Sequence, residues 1–296
     1  MGKATRIKQQ SAREKVAAQR EAANRAERRN RILITGGSII AVLVVVLAFI
    51  LVKVSQGSPS SGGSSSATGS LLPASVASQV TGVPTAALDR VGKGAVPSTP
   101  PPFTPGSGST LTGGGKPQML YIGAEYCPYC AAMRWSMAVA LSRFGTLTPL
   151  RGIHSSSHDV YPNTATLTFY KTGYHSPYLS FVPVENLTVS KTLLQNLTPE
   201  QNAIWAKYEP DPGTRGYPFI DFGSKLVLKA PIYNPAVLQG KTWSQIAAAL
   251  KDPTSPVAQG VLGSANYITA AICKMTNNQP ANVCTSPAVT AVQSGL

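Results

Sequence analysis

Cys127-Pro128-Tyr129-Cys130 is the stretch whose residue types and spacing can do chemistry. Two thiols separated by two residues can close and reopen a disulfide, or supply half of a zinc site. Zinc needs four ligands, and the other two cysteines, Cys273 and Cys284, have ten residues between them rather than two. Redox exchange is therefore the better reading. Cys127 would attack a substrate disulfide, or be attacked when oxidised, and Cys130 would resolve the mixed disulfide that results. The partners this chemistry implies are protein thiols and disulfides. It requires no cofactor and no bound metal.

The flanking elements must place both sulfurs. Met119-Leu120-Tyr121-Ile122, bounded by Pro117 and Gly123, reads as a buried strand. Ala131, Ala132, Met133, Trp135, Met137, Ala138, Ala140 and Leu141 fit a helix, expected from about Pro128 to Phe144 and closed by Gly145. Both sulfurs then sit on its first turn, where unpaired amides and the helix dipole favour a thiolate at Cys127. Pro128 suits the first helical position because its missing N–H is not needed there. Arg134, two turns along the same face, is a candidate for electrostatic tuning of Cys127. Glu125 is a second candidate, although a solvent-facing carboxylate is the simpler expectation.

Two other chemistries remain open. His154, His158 and Met133, taken with the cysteines, have the soft character that suits Cu(I). Tyr170, Tyr174, Tyr178 and Phe181 could instead form a non-catalytic binding surface, although alternating strand residues packing internally account for most of them.

The chain has 296 residues and a net charge of +14, and that charge is uneven. Residues 1–31 carry ten Lys and Arg against Glu14, Glu21 and Glu27. An uncharged, strongly apolar stretch follows at once, which argues for membrane topology rather than nucleic-acid binding. Residues 32–52 would span roughly 31 Å as a helix, about the hydrocarbon thickness of a bilayer. The expectation is a basic cytoplasmic tail (1–31), an uncleaved transmembrane helix (32–53) and an exported remainder. An even count of four cysteines outside the membrane then favours a structural disulfide between Cys273 and Cys284, with a relay pair exchanging with Cys127 and Cys130 as the alternative.

Residues 54–70 form a Ser/Gly linker. Residues 71–115 form a lead-in, with one or two short helices before Gly94 and an extended Pro/Gly/Ser-rich part after Pro97. Further on, Leu147 to Ser155 reads as a strand. Ala165–Tyr170 and Tyr178–Val182 are expected to pair as a hairpin or extended pair. Thr198-Pro199-Glu200 opens a short helix to Tyr208. Arg215 to Leu228 reads as a hairpin turning at Gly223-Ser224. Lys241–Lys251 and Val261–Met275 read as helices.

Strand, Cys-x-x-Cys helix, strand, Gly-x-Pro hairpin and helix resembles the thioredoxin-like superfamily, which implies an α/β fold with a central sheet flanked by helices. In that resemblance Cys127 matches the nucleophile and Cys130 the resolving thiol. Pro218 matches the cis-proline beside the disulfide. Tyr217 matches the residue whose backbone meets a substrate peptide, and Pro128-Tyr129 is similar to the glutaredoxin dipeptide. More narrowly, GAEYCPYCAAMRW, the ALSRFG after it and the late Cys273/Cys284 pair resemble a membrane-anchored family, domain-of-unknown-function family 929. The chain departs from thioredoxin in three ways. Some 87 residues lie between Cys130 and Pro218, which implies an insertion over about 159–211. Tyr126 stands where thioredoxins have Trp, and Tyr121 stands where they have a buried Asp. An exported, anchored exchange protein would also leave room for a membrane redox partner.

Overall fold

The centre of the fold is strand β4, Lys116–Ala124, whose residues from Met119 onward are all buried. A computed structural model describes residues 69–96 and 102–296. The basic tail, the apolar segment 32–53 and nearly all of the linker lie outside the described residues. Among the described residues, no helix is long and apolar enough to cross a membrane.

Eight elements flank β4 in this half of the chain. Strand β1 is Ser70–Leu71, and helices α1 (Ala74–Thr81) and α2 (Thr85–Val91) follow. They bury Val76, Val80, Leu88 and Val91 in the main core, as expected for the lead-in. Strands β2 (Phe103–Pro105) and β3 (Thr112–Gly113) come next, and helix α3 (Pro128–Leu141) follows β4. Strands β5 (Thr146–Thr148) and β6 (Arg151–His154) lie beyond it.

The second half begins with β7 (Ala165–Thr168), β8 (Gly173–His175) and β9 (Ser180–Leu187). Helix α4 (Pro199–Tyr208) leads to the hairpin of β10 (Phe219–Phe222) and β11 (Leu226–Leu228). Helices α5 (Trp243–Ala249), α6 (Pro256–Met275), α7 (Ala281–Cys284) and α8 (Pro287–Gln293) complete the chain.

The main sheet runs β2-β11-β10-β4, with β9 parallel to β4 on its other side and β3 antiparallel to the start of β4. Side chains on β4 alternate between two cores. Met119 and Tyr121 face the large core with α3 and α6, while Leu120 and Ile122 face a smaller one with Val184, Trp205 and Phe219. Being covered on both faces is why β4 reads as an unbroken apolar run rather than an alternating one. The chain is therefore mixed α/β, with its central strands sandwiched between helices.

Several sequence expectations change. Leu147–Ser155 is two strands broken at Pro149, β5 pairing with β8 and β6 with β1 and β7. Strands β7 and β9 do not pair with each other. β9 instead lies parallel to β4, a pairing that needs a long crossover, which α3 and the two small sheets supply. The segment 159–211 is therefore not a plain insertion, because it contains a central strand. Extra material lies on both sides of β9. Helix α3 ends at Leu141, capped by Ser142, and residues 142–144 continue as tighter turns. Gly145 is needed for close approach rather than as a left-handed cap, since a Cβ there would stand 2.2 Å from the His175 carbonyl oxygen.

Other expectations hold. The β10–β11 hairpin turns at Gly223-Ser224, and Thr198 caps α4 in a reciprocal box with Gln201. Ile246, Ala247 and Leu250 of the α5 region are buried, and α6 begins earlier than expected, at Pro256.

Candidate functional site

Helix α3 starts where β4 ends, and Cys127 is its N-cap in extended conformation. That geometry turns the Cys127 sulfur back toward the first turn, where it accepts the Cys130 N–H at 3.3 Å. An N-cap side chain normally accepts such a bond through oxygen, and here a sulfur does so. As a thiol, Cys127 also donates to the Tyr217 carbonyl oxygen at 3.6 Å. Tyr217 is joined to Pro218 by a cis peptide bond, and Pro218 is buried at the start of β10. Cys127, Cys130, Tyr217, Pro218 and the Pro128-Tyr129 dipeptide are thus gathered in one place, as the sequence suggested.

The two thiols differ. Cys127 is 4% exposed and Cys130 is fully buried, and neither is in a disulfide. The hydrogen bond from the Cys130 side chain, helped by backbone amides and the Arg134 charge, holds the Cys127 thiol below its ordinary range despite burial. Burial, reinforced by Cys127 itself, pushes the Cys130 thiol well up. The two shifts run in opposite directions, with the Cys127 thiol held down and the more deeply buried Cys130 thiol held up.

Aromatic rings pack around the two cysteines. Tyr126 meets Tyr217 edge-on with centroids 6.2 Å apart, and Tyr129 meets Tyr161 at 6.1 Å. The Lys191 ammonium lies 4.9 Å from the Tyr126 ring centroid. The Tyr217 hydroxyl donates to Asn186 Oδ1 at 2.5 Å. Glu209 accepts N–H bonds from Trp205 and Gly216, tying the loop before Tyr217 to α4.

Beneath the sulfurs lies a buried polar cluster. Arg134 and Glu185 of β9 are both fully buried and form a two-pronged ion pair, Nε to Oε1 at 2.8 Å and Nη2 to Oε2 at 2.6 Å. Arg134 Nη2 also donates to the Ala124 carbonyl oxygen at 2.8 Å, and Glu185 Oε1 accepts the Phe169 N–H at 3.1 Å. Arg134 is thus locked to the end of β4, and its influence on the thiols is long-range rather than direct contact.

Glu125 does not face solvent. It is 2% exposed and accepts the Thr168 hydroxyl at 2.8 Å. The reason is that its N–H donates to the Leu187 carbonyl oxygen, which extends the β4–β9 ladder by one bond and folds the side chain inward. Burial raises the Glu125 carboxyl, with Thr168 working against the shift.

Glu185 was not a sequence candidate. The signal was a charged residue inside the apolar run of β9, in register with Gly123 of β4. Tyr161 and Lys191 carried no comparable signal, because loops bring them to the site, and Asn186 is a polar residue near the end of β9.

The remaining candidates lie elsewhere. Cys273 and Cys284 are buried and form a disulfide between α6 and α7. His154 packs on the Trp243 ring, and Met133 Sδ receives the Ser264 hydroxyl at 3.9 Å. Among the described residues, no cluster of three or more His, Cys, Asp or Glu is placed to hold a metal ion.

The sequence profile of a domain of unknown function (DUF929) matches residues 103–274. The chain belongs to that family. No curated protein matches the chain, and no solved structure matches it.

Proposed function

We propose that this member of the DUF929 family is a thiol–disulfide oxidoreductase working through Cys127 and Cys130. The observation that carries the reading is the asymmetry of the pair. Cys127 accepts the Cys130 N–H at the helix start, while Cys130 lies fully buried behind it. A nucleophile must ionise and be reached, and a resolving thiol must stay protonated until the mixed disulfide forms.

The finer fold reading belongs to the same proposal. A strand leading into a Cys-x-x-Cys helix, flanked by a parallel strand and by an antiparallel hairpin, supports a thioredoxin-like core. So does the Tyr217 carbonyl beside the Cys127 sulfur, placed where an extended substrate backbone would run. From the sequence, the site would face the outside of a membrane, anchored by residues 32–53 and recycled by a membrane redox partner.

The test is equilibration of the protein with mixtures of reduced and oxidised glutathione, followed by thiol labelling. Two thiols should titrate together between dithiol and disulfide, and Cys127→Ser should abolish both that transition and reduction of a model protein disulfide. Full exchange activity in Cys127→Ser would falsify the assignment.

A further inference from the structure

We propose that Lys191 is a specificity-determining residue of the exchange site, favouring polypeptide substrates that carry an acidic residue close to the reactive cysteine. The inference rests on Cys127 and Cys130 being an exchange pair, and it names the class of substrate they meet.

Lys191 belongs to the site by contact. Its ammonium lies 4.9 Å from the centroid of the Tyr126 ring, and Tyr126 packs against the cluster of Ala124, Cys127 and Cys130. The Tyr126 ring also meets that of Tyr217, whose carbonyl oxygen is 3.6 Å from the Cys127 sulfur. One aromatic residue thus stands between the ammonium and the cysteine cluster. The turn that carries Lys191 is fixed. Thr188 N–H donates to the Thr192 carbonyl oxygen at 2.8 Å, Lys191 N–H to the Thr188 carbonyl oxygen at 3.0 Å, and Thr192 N–H to the Thr188 hydroxyl at 3.1 Å.

The charge at this point is uncommitted. Among the described residues no carboxylate pairs with Lys191, whereas Arg134 is matched by Glu185. The Arg215 guanidinium is held by the Glu209 carbonyl oxygen and by Asn202. Glu125 is turned inward to Thr168. Asp159 is the other charge felt by Tyr126, and its Oδ1 accepts the Val160 N–H of its own loop. A cation resting on an exposed ring is weakly held and is free to meet an anion on an incoming substrate.

Apolar side chains beside the same cysteines point to a polypeptide. Val160 is 65% exposed and Leu193 is 59% exposed, two of the three large apolar side chains that stand clear of the fold among the described residues. Leu193 pairs with Leu187, which packs against the cysteine cluster. Val160 precedes Tyr161, whose ring packs on Tyr129. Exposed apolar side chains grouped at one place mark a surface for another chain, and a small polar disulfide would leave them unused. In an extended segment the residues two before and two after the cysteine share its face, so these are the positions turned toward the protein.

The experiment uses three short peptides with a central cysteine carrying a thiopyridyl group. They are identical except that both positions two residues from the cysteine are Glu, Gln or Lys. The Cys127 sulfur bonds to the peptide sulfur, and the bond from that sulfur to the thiopyridyl group breaks. Thiopyridone leaves with the electron pair, takes a proton from water and is followed by its absorbance. Cys130 then gives its proton to water and displaces the peptide thiolate, so two electrons pass from the protein dithiol to the peptide disulfide.

Wild-type full-length protein at low salt should react about threefold faster with the Glu peptide than with the Gln peptide, and about threefold slower with the Lys peptide. Lys191→Gln should level the three rates, and Lys191→Glu should reverse their order. Lys191 is exposed, so both variants should keep the fold. Ratios between peptides cancel any change in the reactivity of Cys127 itself, and Asp159 is present in all three proteins. The wild-type preference should vanish in about 1 M salt, where the Debye length is about 3 Å. Peptide ratios that are the same in wild type and Lys191→Glu overturn the inference and leave the exchange function standing. Failure of wild type to release thiopyridone from any peptide, or full release by Cys127→Ser, overturns the exchange function and the inference with it.

Discussion

Breaking the buried Arg134–Glu185 pair from either side should destabilise the protein strongly, and removing both partners should restore most of the loss. Arg134→Met leaves Glu185 with only the Phe169 N–H as a partner, where it had that bond and two charge-assisted ones. Glu185→Leu leaves a fully buried guanidinium holding only the Ala124 carbonyl oxygen. An uncompensated buried charge costs about 3–5 kcal/mol, whereas apolar replacement of a whole buried pair is often neutral. Each single variant should therefore lose about 3–5 kcal/mol and the double variant about 1 kcal/mol or less. The coupling between the two sites should then be several kcal/mol. Urea denaturation of the four proteins measures it. The two single variants should also part company in acid. An abandoned carboxylate can be neutralised by a proton, but a guanidinium cannot lose one. The Arg134→Met penalty should shrink as the pH falls, and the Glu185→Leu penalty should not. Single variants within about 1 kcal/mol of wild type would mean that the pair is not dry, and the account of the site floor would fail.

Three further outcomes follow from the same geometry. Alkylation of Cys127 should gain rate with pH through a thiol held below its ordinary range. Cys130→Ala, which removes the largest cause of that shift, should move the profile to higher pH, and Cys130→Ser should move it less. Gly123→Ala should destabilise by about 1–3 kcal/mol through overpacking. Tyr121→Phe should not rescue it in denaturant melts, because Cζ of the ring is itself 2.3 Å from the new Cβ. Burial raises the Asp221 carboxyl, whose Oδ2 has no partner while Oδ1 accepts the Ser224 N–H. A folded-state value above the unfolded one means that wild-type stability falls as the pH rises through that window. Asp221→Asn should therefore be more stable by about 1 kcal/mol at neutral pH. The advantage should disappear in acid, and parallel thermal melts would show whether it does.

What the sequence determined by itself was local. Apolar β4, the Cys-x-x-Cys helix, the Thr198-Pro199 start of α4 and the turn at Gly223-Ser224 are each specified by residues within a few positions of one another. Backbone propensity, capping and turn chemistry act over that range. So does the identity of the two thiols, since a two-residue gap at a helix start is a local pattern.

Tertiary structure alone decided which strands became neighbours and what lay under the sulfurs. Residues 180–187 have strand character whichever partner they take, and only closure of the whole sheet places them parallel to β4. That choice brings Glu185 to Arg134 across 51 positions of sequence and turns Glu125 inward. A charged residue in a strand or beside a helix start reads as solvated until a second element covers it. Burial and long-range pairing are properties of the assembled chain, and they make the two cysteines unequal.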